Sequence, residues 1–551
     1  MARKIKKDNS TEFRHSNAYL RALRWVTDVY LILLICIYPF MVKRGYSSTS
    51  HVKYQFLTAI SYYINFGVIA IPALIPIVIL LFTAGTVKYL RDSKQSLLAF
   101  IKEIKLSIPD IFVLAYAISL ILSTIVSSNK GELLWGYPTW NMGLASQVLF
   151  VMLYFIISRF FDLYELELMI YASLISSAGV FIIEILQKLD INVFGLYTGK
   201  SLSTLMLSTI GNINWFSSYN TLMLTVSAFI VWYFDRSKRL YWIAFIHLII
   251  SSASIVTQNS DSAYLGLLAM TSILFIWSFE EPERLEAWCR MMLDILITWR
   301  IVGFVRLFRG KKASSIADIS RFMVHSPYMC IPIILLLLLY LYVSTKDQGE
   351  KKEAIKRMRR IPVIYIWMLI SGAVILIIYI ILNTNNVFPK RLTSHSTLLF
   401  FNMLWGSKRG ALWHDAVVSM IREWQEEPLK VIFGAGADQF YSVVDKYESR
   451  QIKAAIRSVA TNAHNEWLTA FVNFGIIGGI AYIGIFISSF FRYAMHRDET
   501  PYVIAAACCI AAYMSHNLVS FQQFVCTPYI FVVMGIGEQI IRSGYKGVDI
   551  A

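Results

Sequence analysis

Charge is scarce in this sequence. Only 16% of its 551 residues are charged, whereas an ordinary soluble protein carries about 25%. Hydrophobic residues make up 57% of the chain, and they fall in blocks long enough to cross a bilayer, which takes about 20 apolar residues per helix. An ordinary soluble protein is therefore excluded. We expect an all-α, polytopic membrane bundle, because a backbone in lipid must satisfy its own hydrogen bonds.

Cysteine is also scarce, and its spacing indicates neither a disulfide framework nor a metal site. The six cysteines are Cys36, Cys289, Cys330, Cys508, Cys509 and Cys526. We expect no metal and no cofactor. A nucleic-acid motif is lacking too, although the net charge is +16. Lys and Arg accumulate in short loops, as the positive-inside rule requires, so membrane lipid rather than nucleic acid is the expected partner.

The apolar blocks predict about 12 to 14 helices, with boundaries uncertain by a few residues. The expected spans are 26–42, 62–83, 110–128, 143–161, 168–186, 216–234, 240–257, 262–278, 327–343, 361–383, 466–490, 501–517 and 524–541. No small-residue cleavage pattern follows the first block, so we interpret it as a retained span. The basic segments 3–7, 88–105 and 235–239 place the N-terminus in the cytoplasm. The loops 129–142, 187–215 and 258–261 then lie outside.

We divide the chain into an N-terminal bundle (1–278), a basic insertion (279–360) and a C-terminal part (361–551). The insertion does not fit a simple count, because the single span 327–343 joins two basic segments that both favour the cytoplasm. Either that segment is re-entrant or 291–308 also crosses. The charges within 291–308 favour an interfacial helix over a span.

The C-terminal part contains one large loop, 384–465, which is predicted to be extracytoplasmic. A loop of this length is either functional or disordered. Its tryptophans and the hydrophobic periodicity of 411–424 favour folded helices that lie on the bundle.

Two polar segments next to spans are candidates for chemistry. In the first, Gly211 allows close backbone approach, and the amides of Asn212 and Asn214 can bind a substrate. The alternative is that one of these asparagines caps the following helix, and on this segment alone the cap is favoured. The second segment, 257–262, also fits a plain polar hairpin turn.

Two more candidate segments flank the large loop. Arg409 and Trp413 are four residues apart and share a helix face. The guanidinium of Arg409 matches phosphate geometry, with Lys408 beside it, although a basic residue here also fits snorkelling to anionic lipid. At the end of the loop, His464 and Asn465 precede a span. Histidine is suited to accept a proton near neutral pH.

A structural role for His464 is the alternative, and the pair His516-Asn517 competes with it directly. Further along the same span, Gly475 and Gly479 form a small-xxx-small pair for helix packing. The glycines Gly434 and Gly436 are too closely spaced for a phosphate-binding loop and indicate a backbone turn.

In their order along the chain, these segments resemble the superfamily of O-antigen ligases, O-antigen and exopolysaccharide polymerases, and protein O-oligosaccharyltransferases. The resemblance runs through most of the chain. The matching features are an early outer loop with Gly136 and Gly143, Gly211-Asn212-Ile213-Asn214 before a span, Arg409 followed by Trp413, Pro428, Gly434 and Gly436, and His464-Asn465 before a glycine-rich span.

Two departures concern arginine. The family's early loop usually has an Arg before its glycine, where this chain has Trp140-Asn141-Met142. The family's Ser-Arg turn reads Asn259-Ser260-Asp261-Ser262 here. If the donor is the same, its diphosphate charge must be met by Arg409, Lys408, Arg391 or Lys390.

The resemblance implies an enzyme: a ligase or polymerase that transfers glycan from an undecaprenyl-diphosphate carrier to a hydroxyl of a glycan, lipid or protein, with inversion and without a metal. It implies His464 and Arg409 as catalytic residues. The residues implied in substrate binding are Asn212, Asn214, Lys408, Trp413, Asn465 and Arg391. The active face would be extracytoplasmic.

Two other functions stay open. A flippase for lipid-linked oligosaccharides typically shows internal repeats, charges within spans and short loops, and this chain instead has a long loop that carries motifs. A non-catalytic membrane scaffold is the second, and the Asp261 substitution keeps it open.

Overall fold

A computed structural model describes residues 18–46, 48–62, 106–198, 205–389, 393–394, 396, 399–456 and 459–545. Apart from short turns and one hairpin, Met206–Leu207 (β1) paired with Gly211–Asn212 (β2), the regular structure in these ranges is helical. This confirms the expected all-α class. Most of the expected span 62–83, and Arg391, lie outside the described residues.

The first eight described helices precede the insertion. They are α1 (Ala18–Ile32), α2 (Thr49–Ile60), α3 (Ile108–Val126), α4 (Leu144–Phe160), α5 (Leu166–Lys188), α6 (Ile213–Tyr233), α7 (Arg239–Thr257) and α8 (Ser262–Trp277). The remaining helices are α9 (Pro282–Arg309), α10 (Asp318–His325), α11 (Cys330–Ser344), α12 (Gln348–Met358), α13 (Ile361–Thr384), α14 (Trp405–Glu426), α15 (Pro428–Phe433), α16 (Phe440–Ile456), α17 (Glu466–Met495), α18 (Val503–His516) and α19 (Thr527–Ser543).

The chain is a multi-pass membrane protein. Within the described ranges, seven helical stretches are long and apolar enough to cross a membrane: Leu23–Phe40, Ile108–Val126, Leu163–Lys188, Arg239–Thr257, Pro327–Ser344, Gln348–Thr384 and Glu466–Met495. Helix α6 lies at the centre of the bundle and is buried along almost its whole length. It packs against α7 and α18, while α17 packs along α3 and α19 along α4.

Helix α9 runs the length of the bundle. It has 28 residues, which span about 42 Å at 1.5 Å per residue. At its C-terminal end, Arg309 donates to the carbonyl of Leu189, 2.8 Å away, just beyond α5. Near its N-terminal end, Glu286 pairs with Lys351 at 2.9 Å. This path favours the alternative in which 291–308 also crosses, not the interfacial helix, and α11 then leads back to the end that holds Lys351.

The interface between α3 and α17 depends on glycine, but not on the expected pair. A side chain at Gly484 would overlap the ring of Phe112, and one at Gly478 would meet Ser119. Gly475 instead breaks the helix with a φ of 69°. It lies against the segment that ends α15, so the Gly475/Gly479 pair is not the packing motif.

The large loop folds as helices, as predicted. After a left-handed bend at Gly406, Ser407 and Lys408, α14 is regular to Glu426. It forms a separate small core with the residues that precede and begin α17. The buried members are Leu412, Ala416, Ala435, Phe440, Val443, Val444, Ala460, Ala463 and Val472.

The two ends of the bundle differ in chemistry. At one end a buried ion network joins α3, α4, α17 and α19: Asp110 pairs with Arg159 at 3.0 Å and also with Arg542, while Glu538 pairs with Arg492 at 2.7 Å. The other end carries the loops with the candidate motifs, and we call it the motif end.

Candidate active site

The motif end brings together segments that are hundreds of residues apart. The start of α6, the hairpin 258–261 between α7 and α8, the start of α14, the segment before α17 and the residues after α18 all meet there. The contacts described below connect them. Arg409 and His464, the two residues expected to be catalytic, lie within electrostatic range of each other there.

Arg409 follows the left-handed bend at the start of α14. Its Nε donates to the carbonyl of Val519 at 2.9 Å, and one terminal nitrogen donates to the carbonyl of Gly406 at 2.6 Å. Burial lowers the pKa of the guanidinium, and the nearby Asp261 opposes that shift. Arginine stays protonated at neutral pH despite such shifts. The site therefore holds a fixed, partly desolvated positive charge.

His464 is half-buried and has a backbone φ of 49°. Its ring meets Phe521 edge to face, with 4.9 Å between the ring centroids. Its Nδ1 is buried and forms no hydrogen bond with the residues that the structure describes. Burial, and then the charge of Arg409, lower the pKa of His464 to about 3. The imidazole is therefore neutral at neutral pH.

Two of the predicted binding amides serve as helix caps. The side-chain oxygen of Asn212 accepts from the backbone N–H of Asn214 at 2.8 Å and caps α6. The side-chain oxygen of Asn465 accepts from the N–H of Leu468 at 3.0 Å and caps α17. Asn214 directs its amide oxygen toward another motif, where Ser260 donates to it at 3.5 Å.

Trp413 holds the large loop against the segment that contains His464. Its indole N–H donates to the carbonyl of Ala463 at 3.0 Å, and its ring packs against Trp405 with 5.0 Å between centroids. Lys408 lies in the left-handed bend next to Arg409, with a φ of 76° and a half-buried side chain.

The hairpin 258–261 faces the same region. Asp261 is exposed, and both Arg409 and Asp318 lie within electrostatic range of it. Desolvation raises the pKa of its carboxyl, Asp318 raises it further, and Arg409 lowers it. The turn thus contributes a negative charge at the position where the resemblance implies an arginine.

A comparison with known families covers the segment that contains Arg409 and His464. Residues 322–483 match the family model described as O-antigen ligase. This segment, 322–483, is therefore similar to O-antigen ligases, and we call it the matched segment. This supports an O-antigen ligase-type membrane enzyme of polysaccharide assembly. No curated protein matches the chain significantly.

The matched segment also contains a residue that the sequence analysis missed. Asp438 is buried, and one of its oxygens accepts from the backbone N–H groups of Tyr137 at 2.7 Å and Met142 at 3.2 Å. Burial raises the pKa of this carboxyl to about 7. Asp438 therefore ties the early outer loop to the domain. The signal in the sequence that could have identified Asp438 is its position two residues after Gly436, at the end of the Gly434–Gly436 turn.

Glu466 was missed as well. It begins α17 inside the matched segment, is fully buried, and accepts hydrogen bonds from Tyr482 at 2.5 Å, Tyr513 at 3.0 Å and Asn517 at 2.6 Å. A carboxylate at the start of an apolar span was the available signal, because such groups mark functional sites by default. Across the described ranges, His, Cys, Asp and Glu form no group of three or more that would hold a metal ion.

Proposed function

We propose that this protein transfers a glycan from an undecaprenyl-diphosphate carrier to an acceptor hydroxyl during assembly of a surface polysaccharide. The observation that carries the proposal is the approach of Arg409 to His464, which puts a fixed positive charge beside a neutral imidazole. The match of 322–483 to O-antigen ligases supports the same reaction class.

The reaction is a single inverting displacement without a metal. The acceptor O–H bond breaks and its proton passes to a ring nitrogen of His464. The acceptor oxygen forms a bond to the anomeric carbon, and the carbon–oxygen bond to the diphosphate breaks with its electron pair on the leaving group. Arg409 offsets the growing charge on the diphosphate, since a preorganised cation acts most strongly where water is excluded.

The other site residues divide into two groups. Lys408, Asn214 and Arg391 contact the substrates, with Arg391 adding charge on the donor side. The second group does not touch the substrates and instead holds the site in place. Asn212 and Asn465 cap the helices α6 and α17. Trp413 holds the segment that precedes His464. In the membrane, the motif end faces the extracytoplasmic side and the N-terminus faces the cytoplasm, because the basic turn 235–239 lies at the other end.

The test is glycan analysis of a deletion strain complemented with wild type, His464→Ala or His414→Ala. His414 is the matched control: it lies on α14 in the same loop and pairs with Asp415 at 2.9 Å. Surface polysaccharide is resolved by size, and carrier-linked glycan is extracted in parallel. We expect His464→Ala to abolish transfer and His414→Ala to retain it.

The product pattern then separates the activities. Loss of long polymer with accumulated single repeat units indicates a polymerase. Long chains left on the carrier indicate a ligase. If normally inserted His464→Ala leaves both pools unchanged, the proposal fails and the scaffold or flippase functions move ahead.

A further inference from the structure

The helix α14 carries an apolar row on its exposed side. Val417, Ile421 and Trp424 follow one another at helical spacing and share one face of the helix, with 46, 57 and 55% of their surfaces exposed. The opposite face is buried in the small core of the large loop, where Ala416 is fully covered. The apolar row therefore faces away from the protein, and contiguous apolar surface of this kind marks contact with another protein or with a membrane.

A groove runs between the apolar row and the start of α17. It has a volume of about 420 Å³, and seven of the eight side chains that line it are apolar. Leu468 and Phe471 form its wall on α17, and Val431 of α15 contributes to the lining. A water molecule in a cavity needs about two to four polar partners, and among the described residues only Gln425 adds a polar side chain to this lining. The groove therefore suits an apolar occupant.

The groove is continuous with the membrane-facing surface of α17. The helix Glu466–Met495 is an apolar span, and Phe471 lies five residues along it, or about 7.5 Å at 1.5 Å per residue. That depth lies within the roughly 5–10 Å to which interfacial helices bury their apolar faces. The ring of Phe471 packs over Gly479, beyond the break at Gly475. The next residue, Ile480, is 56% exposed. A side chain exposed in the middle of an apolar span meets lipid, so the same lipid reaches the groove.

The end of the apolar row has the character of a membrane–water boundary. Trp424 is its last member, and tryptophan is enriched where lipid meets water. Directly after it the helix becomes charged: Glu426 and Glu427 pair with Lys446 at 3.0 and 2.8 Å. The surface thus changes from apolar to charged at the tryptophan, as expected for a helix that lies at the membrane surface.

We propose that the apolar row of α14 is embedded in the membrane leaflet at the motif end, and that phospholipid acyl chains fill the groove between α14 and α17. The large loop is then anchored to the membrane by the helix whose first turns carry Arg409. The inference does not depend on the proposed glycan transfer, because it concerns only the surface that the loop presents to lipid.

The test places nitroxide labels at neighbouring positions of α14. Cys36 and Cys330, the two cysteines that are not buried, are replaced by alanine in the full-length chain. Val417→Cys, Ile421→Cys or Arg422→Cys then introduces the single site for the label. Arg422→Cys is the matched control, because residue 422 is exposed next to Ile421 but lies outside the groove.

The labelled protein is reconstituted into vesicles of phosphatidylethanolamine and phosphatidylglycerol. Electron paramagnetic resonance compares collisions of each label with oxygen, which concentrates in lipid, and with a water-soluble nickel chelate. A label introduced by Ile480→Cys on α17 is the lipid-facing reference. We expect the labels at 417 and 421 to collide preferentially with oxygen, as the label at 480 does. The label at 422 should collide preferentially with the nickel chelate, so the logarithm of the collision ratio changes sign between 421 and 422.

Three outcomes would overturn the inference. If the labels at 417 and 421 meet the nickel chelate as freely as the label at 422, the groove faces water. If they are immobilised and shielded from both reagents, another protein or a second copy of the chain covers the groove. If added undecaprenyl phosphate immobilises the label at 421 but not the label at 480, the groove holds that one lipid and not the leaflet.

The two labelled positions in the apolar row make the test robust. Should Ile421→Cys fail to insert, Val417→Cys decides the matter. None of these measurements requires glycan transfer, so failure of the proposed function leaves the inference standing, and a water-facing groove leaves the proposed function untouched.

Discussion

Asp261 and Arg409 face each other across the motif end, and each favours the charged form of the other. This relationship joins the α7–α8 hairpin to the start of α14. It also means that the cation proposed to meet the donor is partly neutralised before any substrate arrives. The opposite charges therefore set how strongly this site attracts a diphosphate.

Without the negative charge of Asp261, the site should bind anions more strongly. We expect Asp261→Asn to increase transfer about two- to fivefold, since exposed charge pairs are worth only about 0.2–1 kcal/mol. The rate at which carrier-linked glycan is consumed in the complemented strain measures this. Asp318→Asn is the control, because Asp318 lies near Asp261 on another helix. A clear loss with Asp261→Asn would show that the carboxylate binds a substrate itself.

Arg409 should not tolerate lysine. A lysine keeps the charge, but it cannot hold the carbonyls of Val519 and Gly406 while also presenting a planar fork to phosphate. We expect Arg409→Lys to lower transfer about 100-fold, as for loss of one preorganised donor. Arg422→Lys, on the exposed side of the same helix, should leave transfer unchanged. Equal effects in the two variants would argue against a role for Arg409 at the reacting centre.

Asp438 should make stability depend on pH. Its pKa is about 7 in the folded protein and about 3.9 when unfolded. The folded state thus binds more protons between these values, and the free energy of unfolding falls as pH rises from about 4 to 7. Asp438→Asn keeps an acceptor for both N–H groups, so it should flatten this dependence. Thermal unfolding in detergent at pH 5 and pH 8 measures it.

The companion variant Asp438→Ala leaves two buried N–H groups without an acceptor. We expect it to cost about 1–3 kcal/mol at either pH. If Asp438→Asn keeps the full slope with pH, another group is responsible for it.

Gly475 should resist substitution. Its φ is 69°, and a Cβ there would lie 2.5 Å from the carbonyl oxygen of Ile432. We expect Gly475→Ala to cost more than about 2 kcal/mol, through backbone strain and overpacking together. Gly372→Ala in α13 is the control, because nothing lies within 4 Å of its Cβ position. Alanine there should be neutral or mildly stabilising, and similar unfolding temperatures for the two variants would contradict the prediction.

The path of α9 predicts opposite labelling at its two ends. Cys330 is replaced because it is exposed. Single cysteines are then introduced at Lys312, just beyond the C-terminal end of α9, and at Ser237, in the turn between α6 and α7 at the end of the bundle where α9 begins. An impermeant maleimide applied to intact cells should label position 312 directly. Position 237 should react only after permeabilisation. If both cysteines are labelled from the same side, α9 lies on the membrane surface and does not cross.

Several features followed from local sequence. Helical spans are set by the length of an apolar block and by the need of each backbone group for a partner within the segment. The folded loop followed from the periodicity of 411–424, and the family resemblance followed from motif order. The cap at Asn212 was one of two alternatives, because a cap and a binding amide use the same residue type.

Other features depended on partners distant in sequence. The charges in 291–308 argued against a span, yet Arg300 donates to the carbonyls of Val324 and Ser326 at 2.8 and 3.0 Å. A charge that finds protein partners does not meet the lipid, so the charges of this segment do not by themselves decide its path. Glu466 and Asp438 were missed for the same reason: their partners lie 51 and about 300 residues away.

The sequence by itself determined that this protein is a helical membrane bundle with an O-antigen ligase-like order of motifs, since apolar length and residue spacing are local properties. Only the tertiary structure decided that α9 runs the length of the bundle, that Arg409 lies near Asp261 and His464, and that Glu466 accepts from Tyr513 and Asn517. Those pairings depend on how the helices pack against one another, and no local pattern in the chain encodes that arrangement.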